Sequence, residues 1–167
     1  KSRIRSRVHR LAYPDYIEVK VYNEQGDVVA QHRFLGLYTS TVYVMSPTLI
    51  PIVRRKVEQV KAMSDLTAIE HEGAELGRVL EMFPRDELFQ SSTAELCNTV
   101  QAVNRIQERR QTRLFVRKDV HGKFFNCLVY IPRNRYDTGL RLTIQAILSA
   151  AFGAEESEFT THFTESI

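Results

Sequence analysis

The stretch RRQTRLFVRKDVHGKFFNCLVYIPRNRYDT, residues 109–138, decides the fold. Two apolar runs, Leu114 and Val116 first and then Phe124, Cys127, Val129 and Ile131, alternate in part with charged residues. Asp119-Val120-His121-Gly122 stands between them. Period-two alternation on both sides of a turn signal predicts an antiparallel hairpin, with Asp119 opening the turn and Gly122 supplying the positive φ. Pro132 closes it. Asp137 then caps a helix whose stripe is Leu140, Ile144, Ile147, Leu148 and Ala151, with Gly153 as its C-cap. Residues 158–164 read as one more strand. In this reading Leu114, Val116, Val129 and Ile131 bury against the helix stripe, and the charged face of the hairpin turns outward.

Upstream, Ile17, Val19 and Val21 alternate with Tyr16, Glu18, Lys20 and Tyr22, and a second run from Val28 to Tyr38 follows a turn at Gly26. This is a hairpin with one apolar face. Gly36 suggests a bulge or a close backbone approach in its second strand. A third extended stretch is expected over 40–45, leading to Ser46-Pro47 as the start of a helix with Leu49, Ile50, Val53, Val57 and Val60 on one stripe. A second helix is expected from Asp65 or Thr67, carrying Ile69, Gly73, Leu76, Leu80 and Phe83, with Pro84 ending it. Gly73 and Gly77 make a side-chain-free strip suited to close packing. FPRDELFQSS, 83–92, reads as a short joint with room for a turn of helix. Ser92-Thr93-Ala94-Glu95 is a capping box for a helix with Leu96, Val100, Val103 and Ile106 on one side. The order is hairpin, helices, hairpin, helix, strand: an α+β chain of antiparallel hairpins packed on helices. A soft boundary near Ser91 divides it into 1–91, a hairpin followed by two helices, and 92–167.

With 167 residues, 43% hydrophobic and 26% charged, the chain is of ordinary globular composition and long enough to bury a core. The net charge of +3 is too small to demand a polyanionic partner. No run reaches the roughly 18 apolar residues of a membrane-spanning helix, and no secretory leader is evident, so a cytoplasmic protein is expected. Lys1 in place of an initiator methionine, and a terminus at Ile167 just after a strand-like run, suggest a piece of something longer.

Reactive groups do not cluster. His9, His32, His71, His121 and His162 are scattered without metal-ligand spacing, the glycines form no phosphate cradle, and no serine sits in a nucleophile elbow. Cys97 and Cys127 read as packed thiols. No catalytic, cofactor-binding or metal residue is therefore assigned. The basic residues are the alternative to weigh. Arg3, Arg5, Arg7 and Arg10 precede the first strand, while Arg109, Arg110, Arg113, Arg117, Lys118, Lys123, Arg133 and Arg135 crowd the second hairpin. Phe115, Phe124, Phe125 and Tyr130 interleave with the second group, as on a nucleic-acid-stacking sheet. The aromatic spacing of an RNA-binding sheet is lacking, however, and Glu87, Glu108, Asp119 and Asp137 dilute the charge. Guanidinium groups beside strands suit bidentate pairing with carboxylates at a subdomain or subunit seam. Arg113, Arg117, Arg133 and Arg135 are the candidate interface or effector contacts, and nucleic acid is the less favoured partner.

Three stretches, HRFLGLYTS (32–40), FPRDELFQ (83–90) and the opening stretch with Leu140 and Arg141 beyond it, resemble in order and separation the amino-terminal half of the large NAD-specific glutamate dehydrogenases of bacteria. The resemblance covers most of the chain. It implies a parent enzyme that oxidatively deaminates L-glutamate to 2-oxoglutarate and ammonia with NAD. In the family the glutamate-binding lysines and the dinucleotide fold lie downstream of this segment. For this chain it implies an inactive regulatory or scaffold piece that holds no cofactor of its own, with an ACT-like sandwich in the second half. ACT modules, ordinarily β-α-β-β-α-β, bind amino acids or build subunit contacts. The partners implied are the rest of the parent polypeptide, a homo-oligomer of the parent and a small amino-acid effector near Arg133 and Arg135. No membrane partner is implied. Here the first strand of an ACT unit must come from earlier in the chain, a departure from the family's order.

Overall fold

The computed structural model describes residues 1–9, 11–64, 70–109 and 111–163. Strands β1 (Asp15–Tyr22) and β2 (Val28–Gly36) form the first hairpin, followed by helices α1 (Ser40–Val44), α2 (Val53–Met63), α3 (Glu70–Met82), α4 (Arg85–Gln90) and α5 (Thr93–Arg109). Strands β3 (Arg113–Lys118) and β4 (Phe125–Tyr130) form the second hairpin, and α6 (Thr138–Phe152) follows it. Both hairpins are antiparallel and each is a separate two-stranded sheet, so the α+β class holds.

The core is helical. Ile50 with Val53, Val57 and Val60 of α2 meets Leu76, Val79, Leu80 and Phe83 of α3, Leu88 of α4, and Leu96, Cys97, Val100 and Val103 of α5. These positions recur at three and four residues, the spacing that puts side chains on one face of a helix. The core runs without a break through Ser91, itself buried. The capping box forms as read: the Ser92 amide donates to Glu95 Oε2 at 2.9 Å, and the Glu95 amide donates to Ser92 Oγ at 3.2 Å. Asp137 Oδ1 accepts from the Leu140 amide at 2.7 Å, and Gly153 ends α6 with φ 61°.

Several local expectations are corrected. Residues 40–45 are not extended: Ser40–Val44 is a turn of helix. Val42 and Met45, three apart, both pack on the core, which a strand cannot arrange. Pro47 opens only a 3-10 turn, Pro47–Leu49, without a side-chain cap from Ser46. The α-helix starts at Val53, after Ile52 at a positive φ of 71°, and Leu49 is left exposed. The irregularity in the first hairpin falls between Val21 and Tyr22 rather than at Gly36. A Cβ added at Gly36 or at Gly77 meets nothing within 4 Å, so neither glycine marks a close approach. The expected helix start at Asp65 or Thr67, and Ile69 with it, lie outside the described residues. Through Phe163 the segment expected as a last strand forms no strand, and Thr164 lies outside the described residues.

The second hairpin is turned over relative to the expected packing. Its register pairs Phe115 with Leu128, Arg117 with Asn126 and Arg113 with Tyr130, so these six share one face. Phe115, Leu128 and Tyr130 pack on the helical core, while Leu114 and Val116, on the opposite face, are each 44% exposed. That opposite face meets α6 where Phe125 stacks on Phe152, centroids 4.4 Å apart. No residue of α6 is buried, and Ile147 and Ala151 of its supposed stripe are exposed.

Candidate functional site

The site is built on α4, the six residues RDELFQ between Pro84 and Ser91. Each of them engages a different part of the chain. The Arg85 guanidinium donates to the carbonyls of Glu81 (2.9 Å) and Phe83 (2.8 Å) at the end of α3 and to that of Met45 (3.2 Å), satisfying acceptors that a helix terminus leaves open. Asp86 accepts from Lys1 Nζ at 2.8 Å, and the same ammonium reaches Asp15 at 2.7 Å. Gln90 Nε2 donates to Asp15 Oδ1 at 2.8 Å, tying α4 to the base of β1. Leu88 is fully buried, and Phe89 stacks on Tyr38 with centroids 4.3 Å apart.

Glu87 faces the second hairpin. Arg117 clasps it with Nε to Oε2 at 2.8 Å and Nη2 to Oε1 at 2.6 Å, the bidentate geometry in which a guanidinium binds a carboxylate most firmly. Asn126, paired with Arg117 across the strands, donates to Oε1 at 2.6 Å, and the Ser91 hydroxyl adds a long contact of 3.4 Å to Oε2. The side chains of Glu87 and Arg117 are only 4% and 13% exposed. The hydrogen bonds that Arg117 donates to Glu87, and then the Glu87 charge, raise the Arg117 pKa against the opposing effect of burial. A pair this enclosed gives little net stability against an apolar alternative, but removing one partner strands a buried charge at a cost of about 3–5 kcal/mol. The pair forms on the face of the hairpin that lies on the helices.

Lys56 of α2 completes the seam. Its ammonium donates to the carbonyls of Leu88 (2.8 Å), Phe89 (3.0 Å) and Ser91 (2.7 Å), the open acceptors at the end of α4. Burial first, and then the Arg117 charge, push its pKa down. Asp119, 4% exposed, holds the hairpin turn by accepting from the amides of His121 (3.0 Å) and Lys123 (3.3 Å), and Gly122 has φ 65°. The Asp-Val-His-Gly stretch is thus a turn. Cys97 is buried in α5, and burial pushes the Cys127 thiol up.

Of the four candidate arginines, Arg117 is committed inside the chain. Arg113 is exposed and stands opposite Tyr130, the last residue of β4. Arg133 and Arg135 lie in the 3-10 turn that follows, at the same end of the hairpin, with Arg133 5.8 Å from the centroid of Phe163. Arg113 and Arg135 meet no carboxylate among the described residues. Glu87 and Lys56 were missed as seam residues. An acid followed thirty residues later by a strand arginine carries no local signal, although the charge density of FPRDELFQ was itself a hint.

Helical core, α4 hub and locked hairpin together define a two-part body: a helical module with a hairpin-and-helix unit registered on it by a buried ion pair. Family models match two stretches of the chain. Residues 50–109 match the glutamate dehydrogenase helical motif 1, and residues 113–167 match the glutamate dehydrogenase ACT2 domain. The chain is a segment of that family, as the resemblance in its sequence implied. It is 42% identical over its whole length to the NAD-specific glutamate dehydrogenase of Halomonas elongata, 47% identical over 97% of its length to that of Pseudomonas aeruginosa, and 37% identical over 99% to that of Mycobacterium tuberculosis. In each case it spans about a tenth of the relative's length. No solved structure matches it.

Proposed function

We propose that this chain is a regulatory and scaffolding segment of a large NAD-specific glutamate dehydrogenase, acting by position rather than by chemistry. The parent converts L-glutamate, NAD and water to 2-oxoglutarate, ammonia and NADH in the cytoplasm, and the segment holds no cofactor of its own. The observation that carries the reading is the Glu87–Arg117 lock, which spends a buried carboxylate and a buried guanidinium on holding one matched family piece against the other. In this reading the working division falls after α5, because the helical core crosses Ser91 and each family match ends or begins between 109 and 113. The exposed cations at the end of the second hairpin, Arg113, Arg133 and Arg135, face the rest of the polypeptide or a neighbouring copy.

The test is Arg113→Glu with Arg135→Glu in the full polypeptide. Loss of assembly in sedimentation, with the helical content of the protein retained, is the expected result; normal assembly and normal glutamate turnover oppose the proposal. Arg117 is left alone, since reversing it breaks the internal lock and confounds folding with assembly. A second reading, an amino-acid effector held by its carboxylate at Arg133 and Arg135, is favoured by the ACT2 match. Calorimetric titration with aspartate, glutamate and arginine decides it, and flat heats count against it.

A further inference from the structure

The first hairpin takes no part in the seam beyond its base at Asp15. β1 and β2 pair with each other and with no other strand among the described residues, and a lone two-stranded ribbon is marginal in water. Side chains opposite one another share a face. Ile17, Val19 and Val21 therefore lie with Phe34, His32 and Ala30 on a face that is apolar except for His32 opposite Val19, where Val19 is 50% and Phe34 62% exposed. On the other face Glu18 accepts from Arg33 Nε at 2.8 Å. Lys20 stands opposite Gln31 and meets no carboxylate among the described residues. The outer edge of β1 has one further property: its residues mirror about Val19, with Ile17 answering Val21, Tyr16 answering Tyr22, and Glu18 answered by the opposite charge of Lys20.

We infer that the outer edge of β1 is an isologous interface for a second copy of this chain, the two β1 strands pairing antiparallel about a two-fold axis through Val19. In that register Glu18 of each copy lies opposite Lys20 of the other, Tyr16 opposite Tyr22, Ile17 opposite Val21, and Val19 opposite itself. Neighbouring registers fail on charge or on face. An axis at Glu18 or at Lys20 sets that residue against its own copy, and like charges directly opposite are unfavourable. An axis at Val21 brings Glu18 onto Glu24, and one at Ile17 leaves both charges without a partner. A shift by a single residue sets the apolar face of one copy beside the polar face of the other. The Val19 axis gives a four-stranded antiparallel sheet, β2-β1-β1-β2, in which Ile17, Val19 and Val21 of both copies form an apolar centre flanked by His32 of each copy. Closed two-fold pairing of this kind is the commonest form of homo-oligomer, and it removes an unpaired edge. The inference deepens the assembly part of the proposal above but depends on neither the effector nor the charged end of the second hairpin.

The experiment is cysteine pairing in the full polypeptide. Val19→Cys under mild oxidation gives a peptide disulfide-linked between residue 19 of two copies, found by mass spectrometry. Lys20→Glu added to it lowers the yield about tenfold, because two attractive pairs become repulsive. Ala30→Cys, on the other strand, gives no such link. If Val19→Cys disturbs the strand, Tyr16→Cys with Tyr22→Cys must give a link from 16 to 22 between copies. Absence of these links in an assembled protein overturns the inference and shows β1 free or covered by another strand of the same polypeptide. A link that Lys20→Glu leaves unchanged also overturns it, as chance collision. Failure of the Arg113 and Arg135 test with the 19–19 link present leaves this edge standing, and the reverse pattern leaves the charged turn standing.

Discussion

The capping box at the head of α5 shows how much one pair of residues settles. Ser92 and Glu95 satisfy each other's amides, and the Ser92 hydroxyl also donates to the Glu95 carboxylate at 2.7 Å. Those bonds, the hydroxyl first, hold the Glu95 carboxyl below its ordinary pKa. An acid whose pKa is lower folded than unfolded stabilises the fold above its unfolded pKa, and that contribution is lost as pH falls through the folded value. Ser92→Ala is expected to cost about 1 kcal/mol at neutral pH in urea unfolding. Glu95→Gln is expected to flatten the decline in stability on the acid side of about pH 4.3, the ordinary glutamate value. Because Glu95 is exposed, the effect is confined to tenths of a kcal/mol by solvent screening. An acid limb as steep in Glu95→Gln as in the parent chain would show that the carboxylate does no such capping.

Elements differ in how far local pattern determines them. Helix α5, the caps of α6 and the Asp119 turn were legible because their signals lie within a few residues of one another. Residues 40–45 were misread because Thr41, Val42 and Val44 are β-branched and favour strands, while the packing of Val42 and Met45 outweighs that weak preference. The face of the second hairpin was harder still. Both parities carry apolar residues, Leu114, Val116 and Val129 on one and Phe115, Leu128 and Tyr130 on the other. Arg117 made the second set look like the outside. Glu87 makes it the inside, and nothing near Arg117 in sequence announces that. The corrected face predicts an asymmetry: Phe115→Ala, which leaves a gap beside the core and breaks an edge-on contact with Tyr130, costs about 2–3 kcal/mol. Leu114→Ala and Val116→Ala, at half-exposed positions, cost under about 1 kcal/mol each. Equal costs on both faces would restore the original packing.

For the molecule as a whole, composition and the order of elements gave the α+β class, and the motif stretches gave the family. What stayed hidden was the role of FPRDELFQ, read as a joint and found to be the hub. Its six helical residues reach α3, Lys1, the second hairpin, the core, Tyr38 and Asp15 in turn. Such a hub is a property of tertiary structure, since its partners lie before it and after it in the chain. It also joins the matched helical motif to the ACT2 unit at Glu87, beside the packing of Phe115, Leu128 and Tyr130 on the core, and this is the contact on which regulation or assembly acts in the proposed function.

The most direct test of that contact is a double-mutant cycle on Glu87→Gln and Arg117→Met, read by urea unfolding. If the two side chains lock the hairpin to α4, each single change costs about 3 kcal/mol or more, and the double change costs less than their sum by about 2 kcal/mol. Costs that simply add, with no coupling between the two positions, would contradict the lock.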